Sequence, residues 1–180
     1  DVLFLGTRQN GVECVDVSDP ANPVHIRMEK THESQSVTYR NGILYSGEWR
    51  KHCVSVIDAK DMANLKTLKT VNLQGFGDGV WTYGNYLYVA TGQHRTGENL
   101  SYKERRGMGH GMEIFDISDP VNPKHISRIG FDFCHMSAND LWTPRPCSGG
   151  KYVAVADTYN GFYVVDARNY ENLSILSKII

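Results

Sequence analysis

The sequence lacks the features of a membrane-spanning chain, a nucleic-acid-binding surface and a cysteine-rich scaffold. No segment approaches the roughly 20 consecutive apolar residues needed to cross a bilayer. The formal net charge is only -1, so the chain as a whole has no field that would attract DNA or an anionic membrane. Its four cysteines form no CxxC pair, which leaves the redox compartment open. We therefore expect no membrane span and no nucleic-acid partner.

Helical periodicity is absent too, and what the chain contains instead is a repeated phrase. GVECVDVSDPANPVHI begins at Gly11 and GMEIFDISDPVNPKHI begins at Gly111, with two degenerate copies beginning at Cys53 and Gly161. Each copy is an alternating apolar strand that ends at an aspartate: Asp16, Asp58, Asp116 and Asp166. Because Asp and Asn side chains bond the backbone two residues on, the following residues predict a turn into another strand. We interpret the four aspartates as structural.

In a complete repeating unit, two further strands precede the phrase. YLYVAT is one of them, and a less regular strand lies before it, joined by a hairpin signal such as Asn41-Gly42. Four antiparallel strands in ~40–45 residues are the blade of a β-propeller. The sequence therefore predicts an all-β fold: a single partial β-propeller over residues 1–180, with blades at approximately 1–30, 31–73, 74–130 and 131–180.

The first blade lacks its inner strand, because the sequence begins in the second strand of that blade. The other three blades are expected to have four antiparallel strands each. We expect the four blades to form part of a larger ring of about seven or eight blades. The remaining blades would come from missing sequence or from another chain.

The segments GMEIFDISDPVNPKHISRIG and GNYLYVATG resemble the LVIVD repeats of bacterial and archaeal propellers that are secreted or lie on the cell surface. The resemblance implies a propeller fold and an extracellular, periplasmic or cell-surface location. It implies no particular chemistry, because propellers carry many unrelated functions.

One face of a propeller collects the loops that join consecutive blades and the loops that join the two middle strands of a blade. The sequence places several histidines and tyrosines there. Proton abstraction beside a uronate carboxylate needs a base, an acid and a cation, and these side chains could supply the first two roles. The candidate catalytic residues are His32, His52, His110, Tyr102 and Tyr159.

Basic and aromatic residues lie in the same predicted loops. Guanidinium groups bind carboxylate or sulfate in a bidentate manner, and aromatic faces stack on sugar rings, so an anionic polysaccharide is the ligand these types suit. The candidate ligand-binding residues are Trp49, Arg50, His94, Arg95, Arg105 and Arg106. The alternative interpretation is a solvated, charged loop.

Cys134, His135 and Cys147 form a second constellation, with His94 or His110 as a fourth ligand. Thiolate and imidazole ligands are the set that zinc prefers, so zinc is the candidate cofactor. A disulfide between Cys134 and Cys147, or free buried thiols, would explain the same residues. Cys14 and Cys53 are expected in the core.

Three functions are compatible with these features. The leading hypothesis is an extracytoplasmic binding module that recognises a carbohydrate or a protein on the loop face. The second is an enzyme of the polysaccharide lyase type, similar in kind to the propeller ulvan lyases, that uses His, Tyr and Arg on the same face. The third is a structural module of a larger surface protein.

Overall fold

A computed structural model describes residues 1–49, 51–92, 110–131, 144–157 and 161–179. These residues form fifteen strands in four antiparallel sheets and one short 3₁₀ turn, Met62–Asn64. The predicted all-β class is confirmed. Over the described ranges, no helix is long and apolar enough to cross a membrane.

Each sheet is a simple meander in which sequential strands are neighbours. The first contains β1 (Val2–Gly6), β2 (Val12–Asp16) and β3 (Val24–Glu29). The second contains β4 (Ser34–Arg40), β5 (Ile43–Glu48), β6 (Cys53–Asp58) and β7 (Lys66–Asn72). The third contains β8 (Phe76–Tyr83), β9 (Tyr86–Gly92), β10 (Gly111–Asp116) and β11 (Lys124–Gly130). The fourth contains β12 (Pro144–Pro146), β13 (Tyr152–Asp157), β14 (Gly161–Asp166) and β15 (Ser174–Ile179).

The turns follow from the Asp and Asn side chains of the repeated phrase. Each of the four repeat aspartates accepts a hydrogen bond from the backbone N–H two residues on, at 2.7–3.1 Å. The Asp or Asn three residues later does the same, at 3.0–3.2 Å. Asn41 and Gly42 both have positive φ, at 48° and 82°, as a two-residue hairpin turn of type I′ requires. The predicted structural role of the repeat aspartates is confirmed.

Apolar side chains fill the space between consecutive sheets. Val12 and Cys14 pack with Leu44 and Ile57 between the first and second sheets. Equivalent clusters join the second sheet to the third and the third to the fourth. Tyr45 anchors one of these junctions, because its buried hydroxyl donates to the Pro120 carbonyl at 2.8 Å. The sheets therefore stack in sequence, with a core between each pair.

The first sheet has three strands, and β1 is its edge strand, as predicted. Leu3 and Leu5 are 44 % and 38 % exposed, whereas Leu44 on the equivalent strand β5 is buried. The difference arises because Leu44 packs against Val12 and Cys14 of the first sheet, whereas in the described part of the chain no sheet covers the corresponding face of β1.

The inner strands of the other three sheets position the candidate site. Strands β4 and β12 both contact β8. Strand β8 begins at Phe76, and its pairing with β9 continues across an irregularity between Gly77 and Val80. Asp78 lies in that irregularity, at the end of β8 where the loop face begins.

Candidate functional site

A cleft of about 350 Å³ lies among the three inner strands. Ser36 and Val37 line it from β4, residues 79–81 from β8, and residues 145–147 from β12 and the position after it. The strand registers show why these residues meet: Val37, Val80 and Pro146 pair with equivalent positions of β5, β9 and β13. The cleft is thus formed at one level of three consecutive sheets.

Arg145 and Asp78 are the charged pair at this cleft. One guanidinium nitrogen of Arg145 lies 4.0 Å from Asp78 Oδ1. The Arg145 side chain is 50 % exposed and the Asp78 side chain is 0 % exposed, so a solvent-accessible guanidinium is paired with a buried carboxylate. Among the described residues, neither carboxylate oxygen of Asp78 has a hydrogen-bond partner. Burial raises the pKa of Asp78 to about 7, although Arg145 and Arg8 oppose the increase.

Two glycines bury Asp78 by allowing backbones to approach closely. A Cβ atom on Gly77 would lie 2.5 Å from the Cys53 carbonyl oxygen and 2.7 Å from the Glu48 nitrogen. A Cβ atom on Gly47 would lie 2.0 Å from the carbonyl oxygen of Asp78 itself. The start of β8 therefore packs directly against the backbones of β5 and β6, and no side chain separates them.

Trp81 gives the cleft an aromatic surface. Its side chain lines the cleft and is 42 % exposed, which is high for so large an apolar group. A cleft that is lined by both an indole ring and a half-exposed guanidinium offers stacking and charge-assisted hydrogen bonds to one ligand. This pair suits a ring compound that carries a carboxylate or a sulfate.

An aromatic cluster lies at the rim formed by the loops. The Trp49 ring stacks on Phe76 with a centroid distance of 4.9 Å, and the His52 ring contacts Phe76 at 4.2 Å. Burial lowers the pKa of His52. His32 is exposed nearby, and its backbone N–H donates to Glu48 Oε2 at 3.1 Å. The structure thus brings three of the predicted site residues, His32, Trp49 and His52, to one end of the second sheet.

His110 lies at the corresponding end of the third sheet. Its carbonyl accepts from Phe131 N–H at 3.1 Å, just as the His52 carbonyl accepts from Leu73 N–H at 2.7 Å. His52 contacts Phe76, which pairs with Gly92 at the same end of the third sheet, so both histidines share the predicted rim. The His110 side chain points into the interior, however, where its Nε2 lies 2.8 Å from Asp157 Oδ2. Acid–base catalysis by His110 stays a prediction.

Several predicted site residues cannot be placed. The following lie outside the described residues, and their assigned roles stay predictions: Arg50, His94, Arg95, Tyr102, Arg105, Arg106, Cys134, His135 and Tyr159.

Cys147 is the described member of the predicted metal or disulfide constellation. It is exposed, it lines the cleft, and its thiol donates to the Arg145 carbonyl at 3.3 Å. Within the described ranges, no group of three His, Cys, Asp or Glu side chains could hold a metal ion. Zinc binding and the disulfide both stay predictions, because each also needs Cys134. Cys14 and Cys53 are buried, as expected.

Two charged residues of the site were not predicted from the sequence: Asp78, which the fold buries, and Arg145, which lines the cleft. Asp78 stands between two glycines in GFGDGV, and Arg145 stands between two prolines in TPRPC. A charged residue flanked by glycines in a strand is the available signal, since glycine there indicates a bulge or a close backbone approach. Glu48 and Asp157 share one repeat position at the end of the second strand of a blade, and both are buried.

The fold defines the class of protein. The chain is similar to the β-propeller domain of Cps50 (Swd1) from Myceliophteria thermophila, with a TM-score of 0.63 and 12 % identity, over 99 % of this chain and 57 % of that one. It is also similar to a provisionally named 6-phosphogluconolactonase from Bacteroides fragilis, with a TM-score of 0.69 and 16 % identity, over 96 % and 52 %. Identities this low show the fold alone. The chain is a β-propeller module that spans about half the length of these structures.

Three segments of the chain match a repeat family. The LVIVD repeat model matches residues 3–28, 74–94 and 148–177, so the predicted resemblance is confirmed and the chain carries LVIVD repeats. Comparison with curated proteins found no match.

Proposed function

We propose that this propeller module binds a carbohydrate that carries a carboxylate, and that the cleft between β4, β8 and β12 is its binding site. The observation that carries the proposal is that the half-exposed Arg145 and the exposed Trp81 line the same cleft of about 350 Å³. That volume accommodates a small number of sugar rings and falls in the range of small-ligand sites.

The chemistry of the lining favours an acidic sugar over a neutral one. A guanidinium forms two parallel hydrogen bonds with a carboxylate, and such charge-assisted bonds are roughly twice as strong as neutral ones. The Trp81 ring can stack on the apolar face of the same sugar. Ser36 also lines the cleft, and its hydroxyl accepts a hydrogen bond from Val80 N–H at 3.2 Å.

An extracellular, periplasmic or cell-surface location fits this proposal, since acidic polysaccharides are constituents of cell surfaces. The protein would then act as a recognition module. Further blades, in the same or another chain, would extend the binding surface around the axis.

Calorimetric titration with oligogalacturonate tests the proposal. The matching methyl-esterified oligosaccharide has the same rings without the charge, and we expect it to bind at least about tenfold more weakly. Arg145→Gln should weaken oligogalacturonate binding by about 10–100-fold, because a charge-assisted pair is lost. Trp81→Ala should weaken the binding of both oligosaccharides by about tenfold, because the stacking surface is lost.

Matched control variants separate the cleft from general surface effects. Arg27→Gln removes an exposed arginine of the first sheet, and Tyr152→Ala removes an exposed aromatic residue that does not line the cleft. Both should bind like the wild type. Equal affinity of wild type and Arg145→Gln for alginate, hyaluronan and galacturonate oligosaccharides would refute the proposal.

The same samples distinguish binding from polysaccharide lyase activity. A lyase leaves an unsaturated uronate whose ultraviolet absorbance grows with time, whereas a binding module gives heat of binding and no new absorbance. Growth of that absorbance, and its loss in His52→Ala, would replace the binding proposal with the catalytic one.

A further inference from the structure

Three sheets contribute charges to the loop-face end of the cleft. Asp78 comes from β8 and Arg145 from β12, while Arg8 follows β1 and bridges to Ser34. Both arginines act on the Asp78 carboxylate. Arg145 also lines the cleft, whereas Asp78 does not, so any effect of Asp78 on a ligand passes through Arg145.

We infer that Asp78 is a positioning residue that controls Arg145: the ionised Asp78 carboxylate holds the guanidinium and competes for it with an acidic ligand. The inference rests on the proposed function. It adds that ligand binding is coupled to the proton on Asp78.

The geometry makes this competition strong. Asp78 is fully buried, and in the described chain its oxygens have no hydrogen bonds that would stabilise the ionised form. The guanidinium at 4.0 Å is therefore its main compensation. A ligand carboxylate that approached Arg145 would also be repelled by an ionised Asp78, because the buried Asp78 carboxylate is less screened than a surface charge.

The other titratable groups around the start of β8 do not replace Asp78 in this role. On β5, Glu48 directs its Oε2 atom to the backbone N–H groups of His32 and Glu33. On β6, burial raises the pKa of Cys53 to about 12, so that thiol stays neutral. On β9, the residues opposite the irregularity, Val89–Thr91, carry no titratable group.

The direction of the pH dependence follows from the pKa of Asp78, which burial raises to about 7. Above that pH the carboxylate is ionised and engages Arg145. Below it, Asp78 is neutral, and the full charge of Arg145 is available to the ligand. Affinity for an acidic ligand should therefore fall as the pH rises through about 7, and binding should be accompanied by proton uptake near that pH.

Titration with oligogalacturonate between about pH 5.5 and about pH 8.5 tests the inference, since the ligand carboxylates stay ionised over that range. We expect the wild type to lose about tenfold in affinity across it. Asp78→Asn should bind tightly at both ends of the range, without the decrease. Arg8→Gln should move the midpoint to higher pH, because it removes a positive charge that favours the ionised form.

The outcomes separate this inference from the proposed function. If Arg145→Gln binds like the wild type, the proposed function fails. If Arg145→Gln weakens binding but wild-type affinity is independent of pH, only the role of Asp78 fails. A pH dependence of affinity that persists unchanged in Asp78→Asn would also overturn the role of Asp78. If Asp78→Asn does not fold, the shift of the midpoint in Arg8→Gln, which keeps Asp78, provides the test.

Discussion

Asp78 is a carboxyl group that the fold buries at a cost to its charged form. Because burial raises its pKa from 3.8 to about 7, the folded state binds the proton more tightly than the unfolded state. The Asp78 contribution to the free energy of unfolding is therefore most favourable at low pH and falls as the pH rises from about 4 to about 7. The full decrease is up to about 4 kcal/mol.

Asp78→Asn tests this linkage. Relative to the wild type, the variant should gain stability steadily between about pH 4 and about pH 7, because it has no charge to bury. Urea unfolding at several pH values measures the difference. The readout is how the difference in free energy of unfolding between variant and wild type changes with pH. A constant cost of burying the asparagine amide does not affect this change. A stability difference that does not change with pH would contradict the prediction.

The repeat aspartate Asp116 should respond in the opposite direction. Hydrogen bonds from Ser118 lower the pKa of its exposed carboxyl, so its stabilising contribution is present at neutral pH and is lost on acidification. Asp116→Asn should therefore lower the free energy of unfolding at pH 7 and have a smaller effect in acid. Urea unfolding in the same buffers measures it. If the loss of stability were as large in acid as at pH 7, a stabilising role for the Asp116 carboxylate in the turn would be contradicted.

The contrast between these two aspartates shows what the sequence could predict at this scale. The turn role of Asp116 was predictable, because the hydrogen bond from the backbone N–H two residues on is local and recurs in each repeat. The burial of Asp78 was not, because it depends on Gly47 of the preceding sheet approaching from 31 positions away in the chain.

At the scale of elements, the close approach of β5 to β8 is the contact on which the site depends. Gly47→Ala should destabilise the protein by about 1–3 kcal/mol, because its Cβ atom would lie 2.0 Å from the Asp78 carbonyl oxygen. It should also weaken oligogalacturonate binding, because β8 must move. Thermal unfolding and titration measure the two effects.

Gly130→Ala is the matched control. Its Cβ atom would meet nothing closer than 3.7 Å, so stability and binding should change little. Equal stability of the two alanine variants would show that β8 does not depend on the Gly47 contact.

Strand identity was largely predictable, and strand ends were less so. The alternating segments ending at Asp16, Asp58, Asp116 and Asp166 are the strands β2, β6, β10 and β14. The inner strands were harder to delimit, because β8 contains a pairing irregularity and β12 has only three residues, two of them proline. Prolines lack the N–H group that marks a strand in a regular ladder.

At the scale of the whole molecule, the repeat spacing predicted the architecture, because each four-strand unit buries its faces only against its neighbours. The predicted rim was partly recovered: His32, Trp49 and His52 lie at one end of the second sheet, and His110 lies at that end of the third. The inner cleft was not predicted. It exists only when three inner strands, distant in sequence, are brought side by side. The ring size of seven or eight blades stays a prediction.

The most direct test of the account is a crystal structure of the protein with bound oligogalacturonate below pH 7. We expect one sugar ring against Trp81 and its carboxylate on the Arg145 guanidinium, between β4, β8 and β12. Oligosaccharide density elsewhere on the molecule, with the cleft unoccupied at saturating ligand, would contradict it.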